Sequence, residues 1–191
     1  MKFDDIKYLF TNTTKFFNDV KKESFKRSFL IYFTFGIIIN AMASVMYTKD
    51  FNLEFFYYPA IFLGTLILSV ASFFVVGGII HLFILMFKGE GDYFQTLKAS
   101  AYGAIPSMII SIPVQGFLLV FTSDMVAIAT LVITLPVTIY AIYLNVVGLS
   151  IFHKISKAKA FLSGFIPIAI IMTIVMIFAI MISALSIFGG I

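Results

Sequence analysis

Marking every Asp, Glu, Lys and Arg along the chain leaves five long uncharged runs, at 28–48, 55–87, 99–123, 125–153 and 160–191. Each is longer than the roughly 18 residues an α-helix needs to cross about 30 Å of hydrocarbon. The runs do not alternate polar and apolar residues over short segments, as barrel strands would, so helices are the predicted spanning form. The pattern therefore predicts an all-α integral membrane protein with five transmembrane helices, near 29–47, 58–87, 99–121, 125–152 and 161–188. The second would be about 45 Å long if fully helical. It must tilt, bend or protrude, and Gly77-Gly78 is the expected bend.

Ahead of the first run, Phe3, Ile6, Leu9, Phe10, Thr13, Phe16, Phe17 and Val20 recur at helical spacing between charged residues. Residues 1–27 are therefore expected to form an amphipathic interfacial helix or helix pair, interrupted near Thr11-Asn12-Thr13-Thr14, beside a transmembrane domain at 28–191. The segment mixes both signs of charge and has no apolar core of its own, so it does not resemble a cleavable signal peptide.

Charge sets the orientation. Seven basic residues (Lys2, Lys7, Lys15, Lys21, Lys22, Lys26, Arg27) precede the first span, Lys88 and Lys98 flank the second–third loop, and Lys154, Lys157 and Lys159 lie in the fourth–fifth loop. The opposite ends carry Lys49 alone. By the positive-inside rule the N-terminus is cytoplasmic and the C-terminus outside, and the strict alternation supports the count of five. A prokaryotic plasma membrane is the expected location.

Composition agrees: 61% of the 191 residues are hydrophobic and 12% are charged, about half the usual soluble share of a quarter. The net charge of +4 lies beside apolar spans, which fits anionic lipid headgroups and gives no reason to expect nucleic acid. With no cysteine, disulfides, thiol nucleophiles and iron–sulfur ligation are excluded.

The most informative polar stretch is 88–98. Asp92 followed by Gln95 reads as a capping box that starts the third helix at Tyr93, after a sharp turn allowed by Gly89 and Gly91. Glu90 and Asp92 would repel an anion, so a capped turn is preferred to a phosphate cradle. Thr122-Ser123-Asp124 is short enough to make the third and fourth helices antiparallel neighbours, with Ser123 or Asp124 as N-cap; Ser156 is the expected N-cap of the fifth.

Candidate chemistry is sparse. Every acidic residue lies in a loop or the N-terminal segment, so no span interior holds a catalytic acid pair. His81 and His153 sit near the cytoplasmic ends of the second and fourth helices, where a histidine is a functional candidate. A metal site built from them with Glu90 or Asp92 would lack His-x-x-His or Glu-x-x-His spacing. Hydrogen bonds to neighbouring helices, or snorkelling to headgroups, are the preferred readings. Pro106, Pro113, Pro136 and Pro167 interrupt spans, and Asn40, Gln115 and Asn145 are buried polar candidates. Residues 98–106 and 159–167 agree at five of nine positions, which fits either parallel repeats or shared helix-entry chemistry.

Taken in order, Gly78-x-x-His81, Gly89-x-Gly91-x-x-x-Gln95-Thr96, Ala101-Tyr102 and Pro106 resemble the central signature of the Yip family, the Ypt/Rab-interacting five-span membrane proteins. Gly148 with His153-x-Ile155-Ser156-x-x-Lys159-Ala160 is similar to the segment before the last helix in prokaryotic members. The stretch 9–17 also fits, except that relatives carry Pro near Thr13. The resemblance marks Gly78, His81, Gly89, Gly91, Asp92, Gln95, Thr96, Tyr102, Pro106, Gly148, His153, Ser156 and Lys159 as interaction candidates. It implies no catalytic residue, metal or cofactor. Eukaryotic members bind Rab GTPases partly through a longer N-terminal domain, so Rab binding is not carried over. The expected function is a non-enzymatic membrane-organising, trafficking-like or adaptor role through the cytoplasmic face, whose partners are lipid, another membrane protein or a second copy. A small-solute or lipid carrier is the alternative, and an intramembrane enzyme ranks third.

Overall fold

The computed structural model describes residues 3–121 and 124–189. Its helices are α1 (Phe3–Thr11), α2 (Thr13–Val20), α3 (Phe25–Asp50), α4 (Tyr58–Met86), α5 (Tyr93–Val120), α6 (Asp124–His153) and α7 (Lys157–Gly189), with a 3-10 turn at Phe55–Tyr57. Five are long and apolar enough to cross a membrane. Their outward side chains, such as Leu63, Ile67, Leu131, Val132 and Met172, are more than half exposed, as a lipid-facing wall requires.

The helices run past the expected spans into the polar flanks. α5 starts at Tyr93 because Asp92 Oδ1 accepts the Gln95 N–H at 2.8 Å, so the cap lies ahead of the bilayer segment. The Ser156 Oγ likewise accepts the Lys159 N–H at the start of α7. The expected cap at Ser123 or Asp124 lies outside the described residues and side chains. α4 continues through Gly77-Gly78, and α5, α6 and α7 continue through their prolines.

α5 is the centre of the bundle, packed against α3, α4 and α6. Gly103 lets the α6 backbone close on it: a Cβ there would lie 3.1 Å from Asn145 N and Cα. Gly77 does the same between α4 and Leu97 of α5, where a Cβ would fall 2.3 Å from Leu97 Cδ2. Small residues at such crossings are the usual means of close packing where lipid supplies no hydrophobic drive between helices. Elsewhere Ser44 and Thr65 hydroxyls, 3.4 Å apart, join α3 to α4, and Asn40 Nδ2 donates back to Gly36 O.

The N-terminal segment forms two helices, α1 and α2, and Asn12 marks the break between them by accepting the Lys15 N–H. Thr13 is the first residue of α2, a position that also suits Pro. Its apolar face is covered by protein: Leu9, Phe16, Phe17 and Val20 are buried in one cluster with Tyr102, Leu144, Val147 and Phe152. Taking each from water is worth roughly 1.5–3 kcal/mol. Residues 9–20 and the transmembrane helices thus share one core.

Candidate functional site

The end of the bundle carrying α1, α2 and the α4–α5 and α6–α7 connections holds nearly all the basic residues, and is called the basic end below. Three helices meet there through side chains. His81 of α4 and His153, the last residue of α6, both bond the same hydroxyl of α5: His81 Nδ1 and His153 Nε2 each lie 2.9 Å from Thr96 Oγ1. Thr96 and His153 are fully buried, and the two imidazole centroids are 5.7 Å apart. The sequence expectation that each histidine bonds a neighbouring helix holds, with the added feature that both share one partner.

A hydroxyl has one proton, so Thr96 donates to one imidazole and accepts from the other, or accepts from both. His153 Nδ1 and Gln95 Oε1 are buried without hydrogen-bond partners among the described residues, and both press on Gly91. Only the capping half of the expected box forms, because the Gln95 side chain faces Gly91 and does not return to the Asp92 backbone.

The two loop glycines correct the sequence reading. Neither takes a left-handed conformation; the residue that does is Lys88, at φ 63°. What Gly89 and Gly91 provide is room. A Cβ at Gly89 would lie 2.4 Å from Ile84 Cγ2, and one at Gly91 would lie 2.3 Å from His153 Nδ1 and 2.5 Å from Gln95 Oε1. Between them Glu90 N–H donates to the His153 carbonyl at 3.0 Å, tying the loop to the end of α6. The Glu90 carboxylate meets Lys154 at 2.6 Å in the open. That ammonium holds the carboxyl below its usual range and is itself raised in return. With Glu90 on Lys154 and Asp92 capping α5, the carboxylates offered for a metal reading have other work.

A second cluster fastens the N-terminal helices. Lys98 is 4% exposed, and its ammonium donates to the carbonyls of Lys21 at 3.0 Å and Glu23 at 2.6 Å, just past the end of α2. A cation suits those unsatisfied carbonyls and the negative pole of the helix. Tyr102 Oη donates to Glu23 Oε2 at 2.9 Å, and Lys21 Nζ donates to the Ile151 carbonyl near the end of α6. Gly148 receives the Phe17 ring: a Cβ would come within 2.6 Å of it, while Phe16 and Phe152 pack edge-on against Tyr102 and Phe17.

Of the thirteen candidates, His81, Gly91, Gln95, Thr96 and His153 meet directly, with Gly89 and Asp92 building the loop that covers them. Gly78 lies against Tyr93, whose hydroxyl donates to the Phe74 carbonyl. Tyr102 and Gly148 belong to the second cluster, and Pro106 is buried one turn below Tyr102. Ser156 and Lys159 are exposed, apart from both. Sequence reasoning missed Lys98, Glu23 and Lys21. Lys98 had a readable signal: it stands three, four and seven residues before Ala101, Tyr102 and Ile105, on the buried stripe of α5.

The 98–106 and 159–167 segments behave differently despite their shared residues. Lys98 is buried and Lys159 exposed; Gly103 is tightly packed, whereas a Cβ at Gly164 would meet nothing within 4 Å.

A family model described as the Yip1 domain matches residues 7–189. An uncharacterised protein of Methanocaldococcus jannaschii is 30% identical over 121 residues, covering 56% of this chain and 86% of the relative. No solved structure matches.

Proposed function

We propose, from the premise that this chain belongs to the Yip1 domain family, that it is a non-enzymatic multi-pass membrane adaptor working through its basic end. The observation that supports this reading is the direction of its polar chemistry. The buried polar groups of the basic end tie its helices to one another: the His81–Thr96–His153 bridge joins α4, α5 and α6, and Lys98 and Tyr102 hold α2. The result is a preformed platform bearing exposed Lys22, Lys26, Lys88, Lys154, Lys157 and Lys159. Such a surface suits anionic headgroups or an acidic partner segment, and its preorganisation lowers the entropy lost on binding. By the positive-inside bias the platform faces the cytoplasm, in a prokaryotic plasma membrane.

The second reading, a small-solute or lipid carrier, draws support from a cavity of about 320 Å³ among α4, α5, α6 and α7. Reconstitution into liposomes separates the two. Solute flux or lipid scrambling above empty vesicles would sink the adaptor reading, and cross-linking of a partner to the lysine platform without flux supports it. Orientation is checked with single cysteines at Lys157 and Asn52, which label from opposite sides in intact cells, Lys157 from the cytoplasm.

A further inference from the structure

The end of the bundle opposite the basic one carries the α3–α4 turn, and its surface is aromatic. Phe51, Phe55 and Phe56 are 69%, 79% and 84% exposed, with Tyr47, Leu53 and Tyr57 exposed beside them. So many exposed apolar side chains in one short segment mark a surface that meets something other than water. The α5–α6 turn adds Val120, Phe121 and Met125, also exposed, and Lys49 links the two by reaching the Leu119 carbonyl at 3.3 Å.

Two columns of stacked rings connect this surface to the lipid-facing wall. On α4, Phe55 stacks on Tyr58 with 4° between the ring planes, and Tyr58 stacks on Phe62 with 9°. On α3, Phe51 stacks on Tyr47 at 19°. Each column runs along a helix long and apolar enough to cross the membrane, so the rings of the turn continue the surface that faces lipid. Aromatic side chains at span ends favour the headgroup level.

The backbone suits the same surroundings. Asn52 takes φ 49° just past α3; Leu53 N–H donates to Thr48 O at 2.9 Å, and Asn52 N–H to Lys49 O at 3.1 Å. That pairing satisfies the last carbonyls of the helix. Within the 3-10 turn Tyr57 N–H donates to Glu54 O at 3.0 Å. Groups bonded internally lose little where water is scarce. Asp50 and Glu54, both exposed, set the opposite limit, because their charge resists hydrocarbon and holds the turn at headgroup level.

We infer that the α3–α4 turn is a lipid-binding anchor. Phe51, Phe55 and Phe56 insert among the headgroups and upper acyl chains of the leaflet opposite the basic end, and fix the depth of α3 and α4 there. This surface lies at the other end of the molecule from the lysine platform, so either reading can fail alone.

The chain has no tryptophan, so Phe56→Trp and Phe51→Trp each place a single fluorophore at an exposed position. The full chain is held in phosphatidylcholine nanodiscs, where buffer reaches both faces. Emission is quenched from the lipid side by chains brominated near the headgroup, and from the buffer by acrylamide, which is uncharged and indifferent to Asp50 and Glu54. The anchor predicts loss of about half the emission in brominated lipid, and acrylamide quenching about threefold weaker than for N-acetyltryptophanamide in the same buffer. Acrylamide quenching equal to that of the free fluorophore, with no loss in brominated lipid, puts the turn in water and overturns the anchor. Protection from acrylamide without quenching by lipid, in particles whose mass shows a second copy of the chain, assigns the patch to that copy and overturns it as well.

Discussion

If Gly91 is present for space and not for turning, adding a single methyl group there should be severe, although alanine is ordinarily a mild replacement in a loop. The Cβ of Gly91→Ala would fall 2.3 Å from Nδ1 and 2.7 Å from Cε1 of His153, and 2.5 Å from Gln95 Oε1. Gln95 can swing aside. The His153 ring cannot easily do so, being fully buried, held by Thr96 at its far nitrogen and tied to Glu90 N–H through its own carbonyl. To reach ordinary contact the ring or the loop must retreat by about an ångström, which overpacks the site for roughly 1–3 kcal/mol. Loss of the Thr96–His153 bond adds about 1 kcal/mol. The expected penalty is about 2–4 kcal/mol, or roughly 5–15 °C in the unfolding midpoint of a chain this size. Gly64→Ala is the control: nothing lies within 4 Å of its Cβ, and a helix-interior glycine gains up to about 1 kcal/mol on replacement. Thermal unfolding of purified protein in detergent reads both, and the signs should be opposite. A Gly91→Ala/His153→Ala double variant should recover at least about 1 kcal/mol of the sum of the single effects, the coupling expected of touching residues. A Gly91→Ala midpoint within error of wild type, or strictly additive effects, would refute the reasoning.

Three other outcomes follow from the same geometry. Thr96→Val leaves the buried His153 nitrogen without its hydroxyl and should cost about 1–3 kcal/mol, the half-exposed His81 adding less; Thr96→Ser keeps the hydroxyl and should retain most of the stability, as the same unfolding assay will show. Gly148→Ala drives a methyl into the Phe17 ring and should release α1 and α2, seen as faster tryptic cleavage at Lys21 and Lys22 while the transmembrane helices stay protected. For Glu90 and Lys154 the sign is set by their mutual shifts. The lowered Glu90 stabilises above the ordinary glutamate pKa of about 4.3 and its contribution fades as pH falls through the lowered value; the raised Lys154 stabilises below about 10.4 and fades as pH rises through its raised value. The pair stays ionised from about pH 5 to 10, and being exposed it should matter little, so Glu90→Gln leaves the midpoint unchanged from pH 5 to 9. A transition inside that window which disappears in the variant would contradict this.

The number of long apolar helices and the starts of α2 and α5 were legible in the sequence because they follow from local signals: charge-free length, Asp92 three residues before Gln95, Asn12 in a run of threonines. The histidines were legible as candidates, since ionisable groups are rare in such a chain. Their common partner was not. Thr96 is 15 residues from His81 and 57 from His153, and no periodicity relates three different helices. Gly89 and Gly91 show the same limit. A glycine pair ahead of a helix cap is a turn signal, whereas a missing side chain that makes room for an imidazole from α6 leaves no mark in its own neighbourhood. The N-terminal apolar stripe likewise states that a face needs covering, and says nothing of whether lipid or protein covers it.

The fastening of α2 also sets an order of assembly. Lys21 waits for Ile151, Leu9 for Tyr140, and the carbonyls of Lys21 and Glu23 for Lys98. Chain growth runs at roughly 5–20 residues per second, so some 130 residues separate the emergence of the first helices from their last partners by about 6–26 s. Until α5 brings Tyr102 to Phe16 and α6 brings Phe152 to Phe17, these rings have only the membrane surface or a chaperone to lie against. α1 and α2 are thus seated long after they are made, and their apolar stripe must serve two hosts in succession: the bilayer during synthesis, and the fourth span of the same chain afterwards.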